Sequence, residues 1–156
     1  MDTPMTTAPA DAGRAPLSVD RVAEFFETLS PQSVDAFGTV YAADARFKDP
    51  FNEVQGLPAI CHIFRHMYEV LDDPRFVVTG RMAQGDQMFL AWDFHFRFRR
   101  FKRERSYTIR GATHLRIDAQ GLICVHRDYW DAAEELYEKL PLVGALMRWL
   151  RRQAQS

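Results

Sequence analysis

A histidine and an aspartate two residues apart are the side chains of this sequence best placed to move a proton. Alternation along 124–131 puts Cys124, His126, Asp128 and Trp130 on one face of a strand. Ionisable groups at neighbouring inward positions are costly to bury without partners, so they bond to each other or face a wet pocket. Both arrangements predict a cavity beside this strand. The alternative is a buried pair that only ties the strand to the helices.

A second carboxylate, Asp49, precedes Pro50 near the middle of the first half of the chain. Aspartate before proline is common in turns, so a structural role is one interpretation of Asp49. A His and an Asp at i and i+2 with one remote Asp form a weak pattern for metal ligands. We therefore expect no metal and no other cofactor.

The elements that must position these residues begin with three predicted helices. Ser18 caps the first helix, which continues to about Leu29 with helical spacing of its apolar residues. The second covers 33–43 and leads into a short strand ending near Asp49. The third runs from Pro58 to about residue 71 and carries its apolar residues on one stripe.

From 74 to 131 the apolar period falls to two, which predicts strands. Turn residues at 80–85, 99–105 and 118–121 divide this region into four long antiparallel strands. Helices followed by a meander predict an α+β fold in which helices cover one face of the sheet.

The composition favours one domain with an aromatic interior. The chain has 156 residues, 13% aromatic residues and twelve Phe. A net charge of −1 gives no overall attraction to nucleic acid, and the basic segment 97–105 is better explained as a solvated hairpin, so we expect no nucleic-acid partner. Cys61 and Cys124 lack a ligand spacing, which predicts free buried thiols.

Both ends of the chain differ in composition from its centre. Residues 1–17 predict a disordered leader without a signal peptide or membrane span, and hence a cytoplasmic protein. Asp131 caps a final helix, and 132–156 forms an amphipathic extension that ends in arginines. We expect this extension to pack on the domain or on a second subunit, with peripheral membrane contact as the alternative.

The order of elements, the segment Phe47-Lys48-Asp49-Pro50, Gly56 and the ending His126–Asp131 together resemble the nuclear-transport-factor-2-like (NTF2-like) superfamily. This superfamily includes steroid delta-isomerases and SnoaL-like polyketide cyclases, and the resemblance covers 18–131. It implies a cone, formed by a curved antiparallel sheet wrapped around the N-terminal helices, with an apolar pocket. It also implies a homodimer through the outer face of the sheet.

The same resemblance implies roles for particular residues. Asp49 occupies the position of the isomerase general base, while Phe25 and Thr113 occupy the positions of a tyrosine and a protonated aspartic acid that hold the substrate oxygen. Phenylalanine cannot donate a hydrogen bond, and a threonine hydroxyl is a weaker donor than a carboxylic acid. Because losing one such donor costs about 10²- to 10³-fold in rate, the steroid reaction is not expected.

The resemblance turns His126 and Asp128 towards the pocket, with Asp49 at its mouth. These three residues then form a catalytic set of base, proton shuttle and orienting carboxylate. The residues expected to contact a ligand, for each of which core packing is the alternative explanation, are Phe25, Phe64, Met67, Trp92, Phe94, Thr113 and Trp130.

Two functions remain open at this point. One is isomerase- or cyclase-type proton transfer to a small hydrophobic molecule with Asp49 as base. The other is a non-catalytic protein that shelters a hydrophobic ligand, beside a membrane or within a larger complex.

Overall fold

The protein is built on one six-stranded sheet with helices against its concave face. The structure is a computed structural model that describes residues 17–100 and 103–137. In chain order the elements are α1 (Val19–Glu27), a 3₁₀ helix (Ser33–Thr39), β1 (Tyr41–Lys48), β2 (Glu53–Gln55), α2 (Leu57–Val70), β3 (Leu71–Gln84), β4 (Gln87–Phe98), β5 (Tyr107–Ile117), β6 (Ile123–Tyr129) and α3 (Ala132–Glu135). The predicted α+β class is confirmed.

The strand order is β2-β1-β6-β5-β4-β3, and every pairing but one is antiparallel. The exception is β1 with β6, which are parallel and pair Phe47 with His126. The predicted meander of four long strands is therefore present. The sheet as a whole is mixed, because β1 and β6 are joined by a long connection that contains the rest of the domain.

The predicted helix over 33–43 is shorter than expected. It is a 3₁₀ helix that ends at Thr39, and the Val40 N–H closes it on the Phe37 carbonyl. Tyr41 already belongs to β1, where it pairs with Ile123. Glycine, threonine and valine follow one another at 38–40, and none of them favours a helix interior. Strand pairing with β6 therefore prevails over the continued helical spacing.

The predicted turn at 80–85 is also shorter. β3 continues through Gly80 to Gln84, and the reversal is made at Gly85, whose φ of 61° suits glycine. A register shift near Gly80, which pairs with Ala91, lets the strand bend without ending. Gly80 therefore marks a β-bulge within β3 and not the predicted turn.

The first and third predicted helices begin at the positions that their capping residues predicted. The Ser18 hydroxyl accepts a hydrogen bond from the Arg21 N–H at the start of α1. α2 follows Gly56, which has a φ of 98°, and carries Pro58 in its first turn. Both helices press apolar residues against the sheet, and the core between the layers includes Val22 and Ile60.

The Asp131 carboxylate caps α3 by accepting hydrogen bonds from the Ala133 and Glu134 N–H groups. Of the predicted leader over 1–17, only Leu17 is described, and it is buried in the core. Residues 1–16 and the predicted helix beyond residue 137 lie outside the described residues. Within the described parts of the chain, no helix is both long and apolar enough to cross a bilayer. Cys61 and Cys124 are both free, and Cys124 is only half-buried.

Candidate functional site

A cavity of about 370 Å³ opens between α2 and the concave face of the sheet. We call it the aromatic cavity, because nine of its lining residues are Phe or Trp. Its volume lies within the range of small-molecule sites in proteins. The lining residues are Phe47, Asp49, Phe51, Asn52, His62, Ile63, Phe64, His66, Met67, Val70, Leu71, Phe76, Trp92, Phe94, Phe96, Phe98, Ile109, Asp128, Trp130 and Leu136.

The alternation of β4 builds the wall opposite α2. Trp92, Phe94 and Phe96 all point inward, and the Trp92 indole lies across β5 at Gly111, its partner in register. A Cβ at position 111 would overlap the Trp92 ring. The absence of a side chain at Gly111 therefore lets the indole lie in this position.

A chain of hydrogen bonds crosses the floor of the site. Trp92 Nε1–H donates to Thr113 Oγ1 at 2.8 Å, and the Thr113 hydroxyl donates to Asp128 Oδ1 at 2.5 Å. The same Asp128 oxygen lies 2.9 Å from His126 Nε2. His126 Nδ1 in turn lies 2.6 Å from the Tyr41 hydroxyl. Of the two arrangements expected for His126 and Asp128, the structure therefore has the one in which they bond to each other.

The protonation states along this chain follow from its donors. An ionised Asp128 carboxylate can only accept, so His126 Nε2 must carry a hydrogen. The Tyr41 hydroxyl is buried, and Nδ1 of His126 is the acceptor within its reach. Burial, and then the negative charge of Asp128, raise the pKa of Tyr41 well above its ordinary value, which keeps it a donor. The ring of His126 therefore bridges the Tyr41 phenol and the Asp128 carboxylate through its two nitrogens.

One carboxylate oxygen of Asp128 is hydrogen-bonded within the protein, and the other is available to a molecule in the cavity. Thr113 and His126 both bond to Oδ1, whereas Oδ2 accepts no hydrogen bond from any described residue. The side chain is 16% exposed and lines the aromatic cavity. A carboxylate fixed in this way can accept a proton or a hydrogen bond from a bound molecule.

Asp49 lines the same cavity but is engaged in a turn. Its Oδ1 accepts hydrogen bonds from the Phe51 N–H at 2.7 Å, the Asn52 N–H at 2.6 Å and the Asn52 side chain at 3.1 Å. Its Oδ2 accepts from the same Asn52 amide at 3.0 Å. This is the geometry of a turn aspartate, the structural alternative for Asp49.

Five of the seven predicted ligand residues line the aromatic cavity, namely Phe64, Met67, Trp92, Phe94 and Trp130. Thr113 and His126 lie one layer deeper, in a narrow crevice of about 20 Å³ that also contains Asp128. Thr113 is therefore bonded to the carboxylate and is not at the cavity surface.

Phe25 is placed elsewhere: it packs on Phe26 and Phe37, with ring centroids 5.3 Å from each. It is the next residue, Phe26, that lines the crevice. Adjacent helical residues point about 100° apart, and the apolar spacing of α1 fits both phenylalanines, so it does not distinguish which one faces inward. Tyr41 was missed because its segment was assigned to a helix, although a buried Tyr normally finds a hydrogen-bond partner.

A second, more open cleft of about 520 Å³ adjoins the ends of the same strands and shares Asp49, Asp128 and Trp130 with the aromatic cavity. Its lining includes Lys48 and Arg127, which point away from the aromatic cavity because strand neighbours alternate. Within the described residues, no group of three His, Cys, Asp or Glu side chains is placed to hold a metal ion.

A family model described as the SnoaL-like domain matches residues 22–126, about two thirds of the chain. The chain belongs to the SnoaL-like domain family. The resemblance drawn from the Asp-Pro segment and the last strand is thereby confirmed, and so is the NTF2-like cone. No curated protein matches the sequence significantly.

Solved structures of other SnoaL-like and NTF2-like proteins share the fold at low sequence identity. A protein from Catenulispora acidiphila DSM 44928 with a ketosteroid isomerase-like fold, in complex with trimethylamine, has a TM-score of 0.61 at 19% identity and covers 73% of this chain and 84% of its own. An epoxide hydrolase of M. tuberculosis, described as LEH-like, reaches 0.64 at 16%, covering 85% and 95%. A putative SnoaL-like polyketide cyclase from Shewanella putrefaciens CN-32 reaches 0.61 at 16%, covering 74% and 92%.

Proposed function

We propose that this SnoaL-like protein binds a small, largely apolar molecule in the aromatic cavity and exchanges a proton with it through Asp128. One observation carries the proposal: Oδ1 of Asp128 is held by Thr113 and His126, while Oδ2 is left to the cavity. A carboxylate held by one oxygen and open to the cavity by the other is placed to accept a proton from a bound C–H or O–H group.

Two features support a reactive pocket over a plain core. The cavity volume of about 370 Å³ exceeds the small voids of a packed interior. Structures with this fold include an epoxide hydrolase and a putative polyketide cyclase, so the fold accommodates enzymes. The missing oxyanion donors at Phe25 and Thr113 still argue against the steroid reaction.

The general-base role expected for Asp49 is a second candidate within the same cavity. Its position beside the cavity supports it, but both of its oxygens already accept hydrogen bonds from the turn. Those bonds would have to weaken for Asp49 to take a proton. We therefore assign proton transfer to Asp128. Asp49 contributes a carboxylate to the cavity wall but does not take the proton.

The test uses 5-nitrobenzisoxazole, a flat aromatic probe that reports any carboxylate base in an apolar pocket. The base removes the C3 proton, the N–O bond breaks, and the coloured 2-cyano-4-nitrophenolate is released. We expect Asp128→Asn to reduce the rate by about 10²-fold or more, the usual size of a general-base effect. Asp49→Asn should reduce it only a few-fold.

Asp44→Asn is the matched control, because Asp44 is exposed on β1 and is not among the residues that line the cavity. If the turnover rate falls in Asp49→Asn and not in Asp128→Asn, then Asp49 is the base. Binding of the probe without turnover in the wild-type protein would support the alternative of a non-catalytic ligand carrier.

A further inference from the structure

The charges that line the aromatic cavity are unbalanced. Asp49 and Asp128 contribute two carboxylates, and none of the described residues in the lining is lysine or arginine. A carboxylic acid or phosphate ester would meet two like charges there without a cationic partner. Placing like charges together in a poorly solvated site is unfavourable, so the cavity disfavours anions.

The nearest basic side chains do not correct this balance. Lys48 follows Phe47 on β1 and is bonded to Glu53 at 2.6 Å. Arg127 lies between His126 and Asp128 on β6 and projects outward, with its guanidinium 4.8 Å from the Tyr129 ring centroid. Both residues line neighbouring clefts, one of which also contains Asp49 and Asp128, but neither lines the aromatic cavity.

Aromatic side chains complete a surface suited to positive charge. The faces of Trp, Tyr and Phe rings carry negative potential and attract ammonium groups, with Trp the most favourable. Trp92 and Trp130 both line the cavity beside Asp128. Phe76 and Phe94 stack at 4.4 Å between centroids along the same wall. Rings next to a carboxylate form a site in which an organic cation loses little on leaving water.

The rim adds two imidazoles and a third acid. His62 and His66 lie one turn apart on α2, with ring centroids 6.5 Å apart, and both are exposed. His66 Nδ1 is 3.3 Å from a Glu69 carboxylate oxygen. Glu69 thus adds a carboxylate beside His66, a residue of the cavity lining.

We infer that the ligand of the aromatic cavity is an organic cation, namely a protonated or quaternary amine carried on a small apolar or aromatic body. The ammonium group lies at Oδ2 of Asp128 and the body lies against Trp92 and Trp130. This inference rests on the proposed use of the cavity as a ligand site. It does not depend on the proton-transfer step.

The test compares three probes of one shape and different charge. They are the phenyltrimethylammonium cation, neutral tert-butylbenzene and the benzenesulfonate anion. Binding to the full chain is followed by the NMR signals of the indole Nε1–H groups of Trp92 and Trp130. We expect the cation to bind about tenfold more tightly than the neutral probe, a difference in the range of cation–π and ion-pair contributions, and the anion not to bind.

Two variants locate the effect. Asp128→Asn should weaken binding of the cation about tenfold and leave the neutral probe unchanged, because only the charge is lost. Trp130→Leu, at a half-buried position outside the hydrogen-bond chain, should also weaken the cation if Asp128→Asn disturbs folding. Asp44→Asn controls for net charge and should change neither.

The outcomes separate this inference from the proposed function. Equal binding of the cation and the neutral probe, or tighter binding of the anion, overturns the inference and leaves the ligand site intact. Failure of all three probes to shift either indole signal overturns the cavity as a ligand site, and the inference with it. Equal binding of the cation and the neutral probe, together with turnover of 5-nitrobenzisoxazole that is lost in Asp128→Asn, would refute the inference alone and leave the proposed function standing.

Discussion

Tyr41 is the buried end of the chain of hydrogen bonds that fixes Asp128. Its hydroxyl donates to Nδ1 of His126, which leaves Nε2 protonated and directed at the carboxylate. Without that donor, the imidazole is free to place its hydrogen on Nδ1 and to stop bonding to Asp128. The protonated Tyr41 hydroxyl and the Nε2–H tautomer of His126 thus determine the orientation of the Asp128 carboxylate.

We expect Tyr41→Phe to cost about 1–3 kcal/mol in the free energy of unfolding, because it leaves a buried acceptor unpaired. Urea unfolding measures this loss. Tyr107→Phe is the control, since the Tyr107 hydroxyl is equally buried but has no hydrogen-bond partner among the described residues. That control should be neutral or slightly stabilising.

A purely structural role for Tyr41 would not alter the protonation of His126. The ¹⁵N shifts of the His126 ring distinguish the two tautomers, and Tyr41→Phe should move them away from the Nε2–H form. If the shifts stay unchanged while stability falls, Tyr41 supports the core but does not orient the site.

At the scale of elements, the contact between β4 and β5 determines the shape of the cavity wall. Gly111 leaves room for the Trp92 indole, and the indole in turn bonds to Thr113 beneath Asp128. A glycine in a strand interior weakens the strand but often marks such a close approach. Because Trp92 pairs with Gly111, the register of β4 and β5 places the indole where it bonds to Thr113. Thr113 in turn bonds to Asp128, so the register also determines the position of the carboxylate.

Gly111→Ala should destabilise the protein by about 1–3 kcal/mol, as expected for overpacking, and should shift the Trp92 Nε1–H signal. Gly80→Ala is a matched control in β3, where a Cβ would meet Ala91 at an ordinary contact distance of 3.7 Å. This control should be neutral or stabilising, because it also removes glycine flexibility. Equal losses in both variants would contradict the packing explanation.

At the scale of the whole molecule, the outer face of the sheet has the character of an interface. Met82 and Phe89, which are partners in register on β3 and β4, are 65% and 40% exposed, and Phe89 stacks on His114 with centroids 4.6 Å apart. Large apolar side chains exposed together commonly mark a protein contact. The homodimer expected from the resemblance therefore stays a prediction with a defined surface.

Phe89→Glu should convert that dimer into a monomer, because it places a charge in the middle of an apolar contact. Sedimentation at several protein concentrations measures the change, and Ala36→Glu on the exposed helical side is the control. A wild-type protein that sediments as a monomer would refute the dimer.

Local pattern predicted most of the elements correctly. Periods of 3.6 and 2 identified α1, α2 and the four long strands, and the caps at Ser18 and Asp131 were found where expected. The spacing of His126 and Asp128 placed them on one face and gave a bond between them as one of two expected arrangements. These features depend only on residues that are close in the sequence. The backbone geometry of a helix or a strand decides which of those residues share a face.

Only the tertiary structure decided how the site is connected. Tyr41 and His126 are 85 residues apart in the chain and meet because β1 and β6 pair in parallel. Asp49 was placed at the cavity by resemblance, but the turn that occupies its carboxylate appears only with Asn52 folded against it. Which strands meet, and which of two adjacent phenylalanines turns inward, depends on packing the whole core at once. The sequence therefore determined which residues are capable of chemistry, and the packed fold decided that Oδ1 of Asp128 is held while its side chain lines the cavity.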